Sequence, residues 1–189
     1  NALKMPFDNA VKILKNKIQP QDYLFSVCRI EPENNVHLCL ELASKINYKL
    51  VFIGNWSKSS YGKELKRKYK NYENIHLLDP IYDPNILGSF RSNAKIYFHG
   101  HTVGGTNPSL VEAMSLGLNI IAHDNGFNRY TTGDLAHYFS DYESLEKAFF
   151  SAIKKDKVPM ELEELAKKRY LWKDVVNGYE EIVQQACNI

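Results

Sequence analysis

Short apolar runs alternate along the chain with stretches whose apolar positions recur at helical spacing. The runs are rich in β-branched and aromatic residues and predict strands over 23–28, 48–54, 74–78, 94–99, 118–123 and, briefly, 136–139. Between them the pattern predicts helices over 36–45, 60–69, 84–91, 108–116 and 142–154, the first with Val36, Leu40 and Ala43 on one face. Two helix starts are marked locally. Pro84 follows Asp83 and Pro108 follows Asn107, so each helix has a capping side chain and then a proline whose missing N–H costs nothing at the first helical position. After Asp156-Lys157-Val158-Pro159 the pattern is wholly helical, over 161–170 and 172–185. This order predicts an α/β fold: a doubly wound parallel sheet with helices on both faces, closed by C-terminal helices. Ligands of such sheets lie at the carboxyl ends of the strands, so chemistry is to be sought just after each strand.

Composition narrows the setting. A chain of 189 residues, 44% hydrophobic and 24% charged, fits one domain, and a domain of that size buries about 70% of its unfolded-chain surface. No repeat, low-complexity tract or Gly/Ser linker divides it. No apolar run approaches the roughly 18 residues of a membrane span, so a soluble domain is expected. Three cysteines, with no Cys-x-x-Cys pair, argue against a disulfide framework or zinc site and point to a reducing cytosol. A net charge of +2 gives no case for nucleic acid, and the basic stretches 63–70 and 167–169 read as solvated helix faces. The chain starts at Asn1 without a signal-peptide pattern and reads as a segment of a longer protein.

The most informative stretch runs from Phe98 to Met114 as strand, glycine pair and helix. Gly104 and Gly105 let backbone approach a bulky group, and the helix opening at Pro108 offers N–H groups and a positive dipole end to a diphosphate. Ser109 adds a hydroxyl. Glu112, four residues beyond Pro108, lies on the same helix face, where a carboxylate accepts hydrogen bonds from ribose hydroxyls. The plainer readings are a simple turn and a favourable charge near a helix N-terminus. His99 and His101 lie on one side of an extended segment, as metal ligands do, but without a third ligand a structural or sugar-contacting role is favoured.

Here the chain resembles the group 1 glycosyltransferases. Their mark is two glutamates, with seven residues between them, around a glycine-rich turn, the second opening a Glu-Ala-Met motif before a glycine and an apolar strand. Glu112-Ala113-Met114-Ser115-Leu116-Gly117, with the apolar run 118–122 after it, matches the second glutamate and the rest of the motif; Gly104 stands in place of the first. A second mark is an arginine ending the first strand with a Glu-Lys pair after it. Arg29 and Glu33 match, and Asn34 replaces the lysine.

The resemblance covers nearly the whole chain and is nearest to transferases of bacterial surface polysaccharides, such as O-antigen, lipopolysaccharide and capsule. It implies one Rossmann-like half of a two-domain GT-B enzyme of the retaining, family 4-like type, with the N-terminal acceptor domain lying outside 1–189. It gives Arg29 and Glu112 the catalytic roles, Arg29 on the donor diphosphate and Glu112 on the ribose. The donor-binding set it implies is Arg29, Glu33, Asn34 and His101 together with the turn and helix start Gly104, Gly105, Thr106, Asn107, Ser109, Leu110 and Glu112. Asn128 and Arg129, after the fifth strand, are expected to line the crevice.

The expected activity is a hexosyltransferase type of transfer from a nucleotide sugar, a UDP-sugar foremost, to a lipid-linked glycan, with this segment alone inactive. No cofactor or metal is expected. Partners are the nucleotide sugar and a glycan acceptor, in the cytoplasm, with peripheral association of the full enzyme at the inner face of the bacterial membrane. A non-catalytic nucleotide-sugar-binding module and a sugar-nucleotide epimerase of similar fold are the alternatives.

Overall fold

A computed structural model describes residues 5–14, 17–154 and 160–187. Six strands form one parallel sheet: β1 (Tyr23–Val27), β2 (Lys49–Ile53), β3 (Ile75–Leu78), β4 (Ile96–His99), β5 (Asn119–His123) and β6 (His137–Phe139), in the order β3-β2-β1-β4-β5-β6. The chain steps outward from β1 to β3, returns to β4 on the other side of β1, and steps outward again. The switch point of this Rossmann-like α/β fold therefore lies between β1 and β4, which pair at Leu24↔Ile96 and Phe25↔Tyr97.

Both faces of the sheet are buried, and the period-2 alternation of a strand assigns each residue to one of two cores. Leu24, Leu50, Phe52, Ile96, Phe98 and Ile121 face the core formed with α2 (Val36–Ile46), α3 (Ser60–Tyr69) and α7 (Tyr142–Ile153). Phe25, Val51, Ile53, Tyr97, Ile120 and Ala122 face the core formed with α4 (Pro84–Ser92), α5 (Pro108–Ser115) and α8 (Met160–Arg169). Burial of this kind stabilises at about 25 cal/mol per Å² of apolar surface, which is why the strands read as unbroken apolar runs.

The expected helix starts are present. Asp83 Oδ1 accepts from the N–H groups of Asn85 and Ile86, and Asn107 Oδ1 from that of Ser109. Two helices were not predicted from the sequence: α1 (Asp8–Leu14) and α6 (Gly126–Thr132), the latter carrying Asn128 and Arg129. The break at 156–159 lies outside the described residues. The last helix, α9 (Trp172–Cys187), buries none of its side chains and exposes Trp172, Val176, Tyr179, Ile182 and Val183. Among the described residues no helix is long and apolar enough to cross a membrane.

Candidate functional site

The carboxyl ends of β1 and β4 are stitched together by backbone-seeking amides. After β1 the chain passes Arg29, whose side chain is exposed, and tightens into a 3-10 turn at Pro32–Asn34 that ends on Asn35 in the left-handed region. Asn34 is only 1% exposed, and its Nδ2 donates to the Arg29 carbonyl at 2.8 Å. Asn35 Nδ2 donates to the Gly100 carbonyl at 2.9 Å, while the Thr102 N–H and Oγ1 both donate to the Glu33 carbonyl at 3.0 Å. Arg29, Glu33 and His101 are thus brought to one place. Asn34 contributes by holding the turn rather than by facing the crevice.

That close approach depends on Gly100. A β-carbon there would lie 2.1 Å from the Asn34 carbonyl oxygen. Beyond it His99 is buried, and its ring stacks on that of His101 with centroids 4.3 Å apart and planes 10° from parallel. Among the described residues neither ring nitrogen of His99, nor Nδ1 of His101, has a hydrogen-bond partner. Burial first, and then the neighbouring His101, lower the His99 pKa to about 3. Burial and the Arg29 charge lower that of His101 to about 4, against the pull of Glu33. Both imidazoles are therefore neutral near pH 7.

The next turn is open. Gly104, at φ +121°, and Gly105 have, apart from their own chain neighbours, no atom of the described residues within 4 Å of where a side chain would begin. The start of α5 is less available than its sequence suggests. Pro108 lacks an N–H, that of Ser109 is held by Asn107 Oδ1, and that of Leu110 by the Asn107 carbonyl. The N–H groups of Gly104, Gly105 and Thr106 have no backbone partner among the described residues, so free donors lie just before the helix. The Leu110 side chain belongs to the core, so only its backbone is at the site.

Asn128 and Arg129 serve α6. Asn128 is buried, and its Nδ2 donates to the carbonyls of His101 and His123 at 3.1 and 2.8 Å. Asn125 also donates to the His101 carbonyl at 2.9 Å, so α6 braces the turn. The Arg129 guanidinium is paired with Asp124 and Asp134 and lies over the Tyr138 ring.

Glu112 and Arg29 line different hollows. Arg29 lines one of about 310 Å³ at the ends of β1 and β2, opposite Pro80, Ile81 and Tyr82. Glu112 lines another of about 430 Å³ between α4 and α5, where its Oε2 lies 2.7 Å from Nη2 of the buried Arg91. Among the described residues no group of three or more His, Cys, Asp or Glu side chains is placed to hold a metal ion.

The sequence profile of the group 1 glycosyl transferases matches residues 10–169. The chain belongs to this family. No curated protein sequence matches it, but solved structures share its fold. The C-terminal domain of a group 1 glycosyl transferase, LpcC, from Francisella tularensis is 17% identical with a TM-score of 0.67, over 89% of this chain and 96% of that one. Sucrose-phosphate synthase from Thermosynechococcus elongatus is 15% identical with a TM-score of 0.80, over 98% of this chain and 50% of that one. The pneumococcal O-GlcNAc transferase GtfA, solved with UDP and GlcNAc, is 15% identical with a TM-score of 0.70, over 92% of this chain and 37% of that one. The chain thus spans half or less of the length of these last two.

For a group 1 glycosyl transferase domain, three residues of this site escaped sequence reasoning. Gly100 was hidden because its constraint is a contact with the turn after β1, Asn35 because its partner lies just beyond the end of β4, and Arg91 because an arginine in the last turn of a helix reads as a surface charge.

Proposed function

We propose that this domain binds the nucleotide-diphosphate part of a sugar donor at the carboxyl ends of β1 and β4 and presents the sugar for transfer to a bacterial surface glycan. The observation that carries the reading is the stitching of the Arg29 turn to the turn at 101–106. Asn34, Asn35 and Thr102 hold an exposed guanidinium beside a neutral imidazole and a run of unpaired N–H groups. In this reading Arg29 carries charge that grows on the leaving diphosphate, and unpaired backbone of 104–106 adds donors to it. Glu112 accepts from the ribose, His101 faces the sugar, and the glycines keep the approach clear. Glu33 and Asn34 shape the turn; Thr106, Asn107, Ser109 and Leu110 form its far wall. No cofactor takes part.

A UDP-sugar is the leading donor, transfer proceeds with retention, and the acceptor is lipid-linked at the inner face of the membrane. Acceptor positioning belongs to a second domain, which supplies the orientation that this domain lacks by itself. The apolar stripe of α9 and the greater length of the structural relatives support that division. One feature favours a second reading, a binding module without catalysis: Gly104 stands where the family has its first glutamate.

Calorimetric titration of the chain with UDP, GDP, ADP, dTDP and their sugar conjugates tests binding, and at least one is expected to bind. Failure of all would overturn the donor assignment. Transfer assays with a lipid-linked acceptor then separate enzyme from binding module. Transfer is expected only when the second domain is supplied, and no transfer by the full-length protein would favour the second reading.

A further inference from the structure

Resting on that donor-binding reading, we infer that Lys58 supplies the second positive charge to the diphosphate, in place of the buried amide of Asn34. The hollow that Arg29 lines has an apolar floor that includes Val27, Ile53 and Ile81, and its charged lining residues are Arg29 and Lys58, with no carboxylate. Neither cation is ion-paired among the described residues. Two unneutralised cations over an apolar floor make a site for a group carrying more than one negative charge, and one guanidinium alone meets only part of it.

The loop that carries Lys58 is fixed on both sides of it. Trp56 is buried, its indole N–H donates to the Leu78 carbonyl at 2.9 Å, and its ring packs edge-on against Phe52 at 5.4 Å. Asn55 Oδ1 accepts from the Ser57 N–H and hydroxyl. Ser59 caps α3 through the Gly62 N–H. Gly62 in turn lies so close to the Trp56 carbonyl that a β-carbon would meet its oxygen at 2.7 Å. These contacts hold the loop on both sides of Lys58, so it offers an ammonium to the hollow from an already structured backbone. That saves part of the entropy cost of recruiting a charge from a mobile loop. A lysine at position 34 would have to emerge from a site that is 1% exposed. The second cation has moved from the loop after β1 to the loop after β2.

The test compares the chain with its Lys58→Ala, Lys58→Arg and Arg29→Ala variants. Each is titrated with the tightest-binding of UDP, GDP, ADP and dTDP, and with the matching nucleoside. Lys58→Ala is expected to weaken the diphosphate about ten-fold or more, as loss of a charge-assisted hydrogen bond does, to leave the nucleoside unchanged and to flatten the salt dependence. Lys58→Arg should restore most of the affinity. Because Lys58 is exposed and unpaired, the urea midpoint of Lys58→Ala should equal that of the parent chain. Parent-like diphosphate affinity in Lys58→Ala, or equal losses of diphosphate and nucleoside, would overturn the assignment while leaving the donor site standing. Failure of the parent chain to bind any of the four nucleotides would overturn both.

Discussion

Arg91 and Glu112 meet across α4 and α5 with Nη2 and Oε2 2.7 Å apart, the arginine side chain 7% exposed and the glutamate 53%. The two partners are unequal, and so are the consequences of removing them. Glu112→Ala strands a buried guanidinium whose Nε already lacks a partner among the described residues, and breaking such a pair from the exposed side costs about 2 kcal/mol or more. Arg91→Met strands only a half-exposed carboxylate and fills the space with an apolar chain, so it should cost under about 1 kcal/mol. Both should weaken a ribonucleotide, because Glu112 loses either its carboxylate or the guanidinium that holds it. The double variant should recover stability without recovering affinity. Urea unfolding and calorimetry on all four proteins read both quantities. A Glu112→Ala chain as stable as the parent would show that the pair does not hold α4 to α5.

Gly105 and Gly100 should part stability from binding. A β-carbon at Gly105 meets nothing, so Gly105→Ala should leave stability unchanged or raise it by up to about 1 kcal/mol through the unfolded chain. The methyl group then stands where the diphosphate is proposed to approach, and affinity should fall. Gly100→Ala places its β-carbon 2.1 Å from a backbone oxygen and 2.8 Å from Phe98 Cε1, and such overpacking costs roughly 1–3 kcal/mol. Nucleotide titration beside urea unfolding of each variant checks the contrast. Unchanged affinity in Gly105→Ala would move the ligand away from this turn.

Much of this was readable because it is local. Asn107 and Asp83 announce their helices through adjacent prolines, and the strands announce themselves because both faces are buried. The Arg29 and Glu112 motifs are short and contiguous. What could not be read depends on distant pairings. α6 is held by Asn125, which caps the Asn128 N–H and reaches to the His101 carbonyl, a bond invisible until β4 and β5 are neighbours. Arg129 reads as a free cation because Asp124 and Asp134, each five residues away, become its partners only once the chain turns at Gly133. Arg91 and Lys58 were passed over for the same reason: a charge on a helix or loop shows what it faces only when the sheet is assembled.

The stacked histidines should make the domain acid-sensitive. With folded pKa values near 3 for His99 and 4 for His101, against about 6.5 in the unfolded chain, the unfolded state binds more protons below about pH 6.5. Stability is therefore complete above that pH and falls as pH drops toward 4, with each histidine contributing up to about 1.4 kcal/mol per pH unit. Urea titrations from pH 7 to 5 should show this slope, and His99→Gln should flatten it. An unaltered slope in a folded His99→Gln variant would remove His99 as its source.

Asn34 gives the last and most discriminating test, because motif logic and packing predict opposite outcomes. If the family pattern alone governed the site, Asn34→Lys would restore a missing cation and strengthen diphosphate binding. The amide, however, is 1% exposed and donates to the Arg29 carbonyl at 2.8 Å. A lysine cannot fit there without either burying an unpaired ammonium or levering the turn open, and it leaves that carbonyl without its donor. Asn34→Lys should therefore lose about 2 kcal/mol or more of stability and bind the diphosphate more weakly, since Arg29 is displaced with the turn. Asn34→Ala should show the binding loss in milder form with no change of charge. Urea unfolding and diphosphate titration of both variants decide between the two logics. Tighter binding by a stable Asn34→Lys chain would show that position 34 still faces the phosphates and that the turn is not held as described.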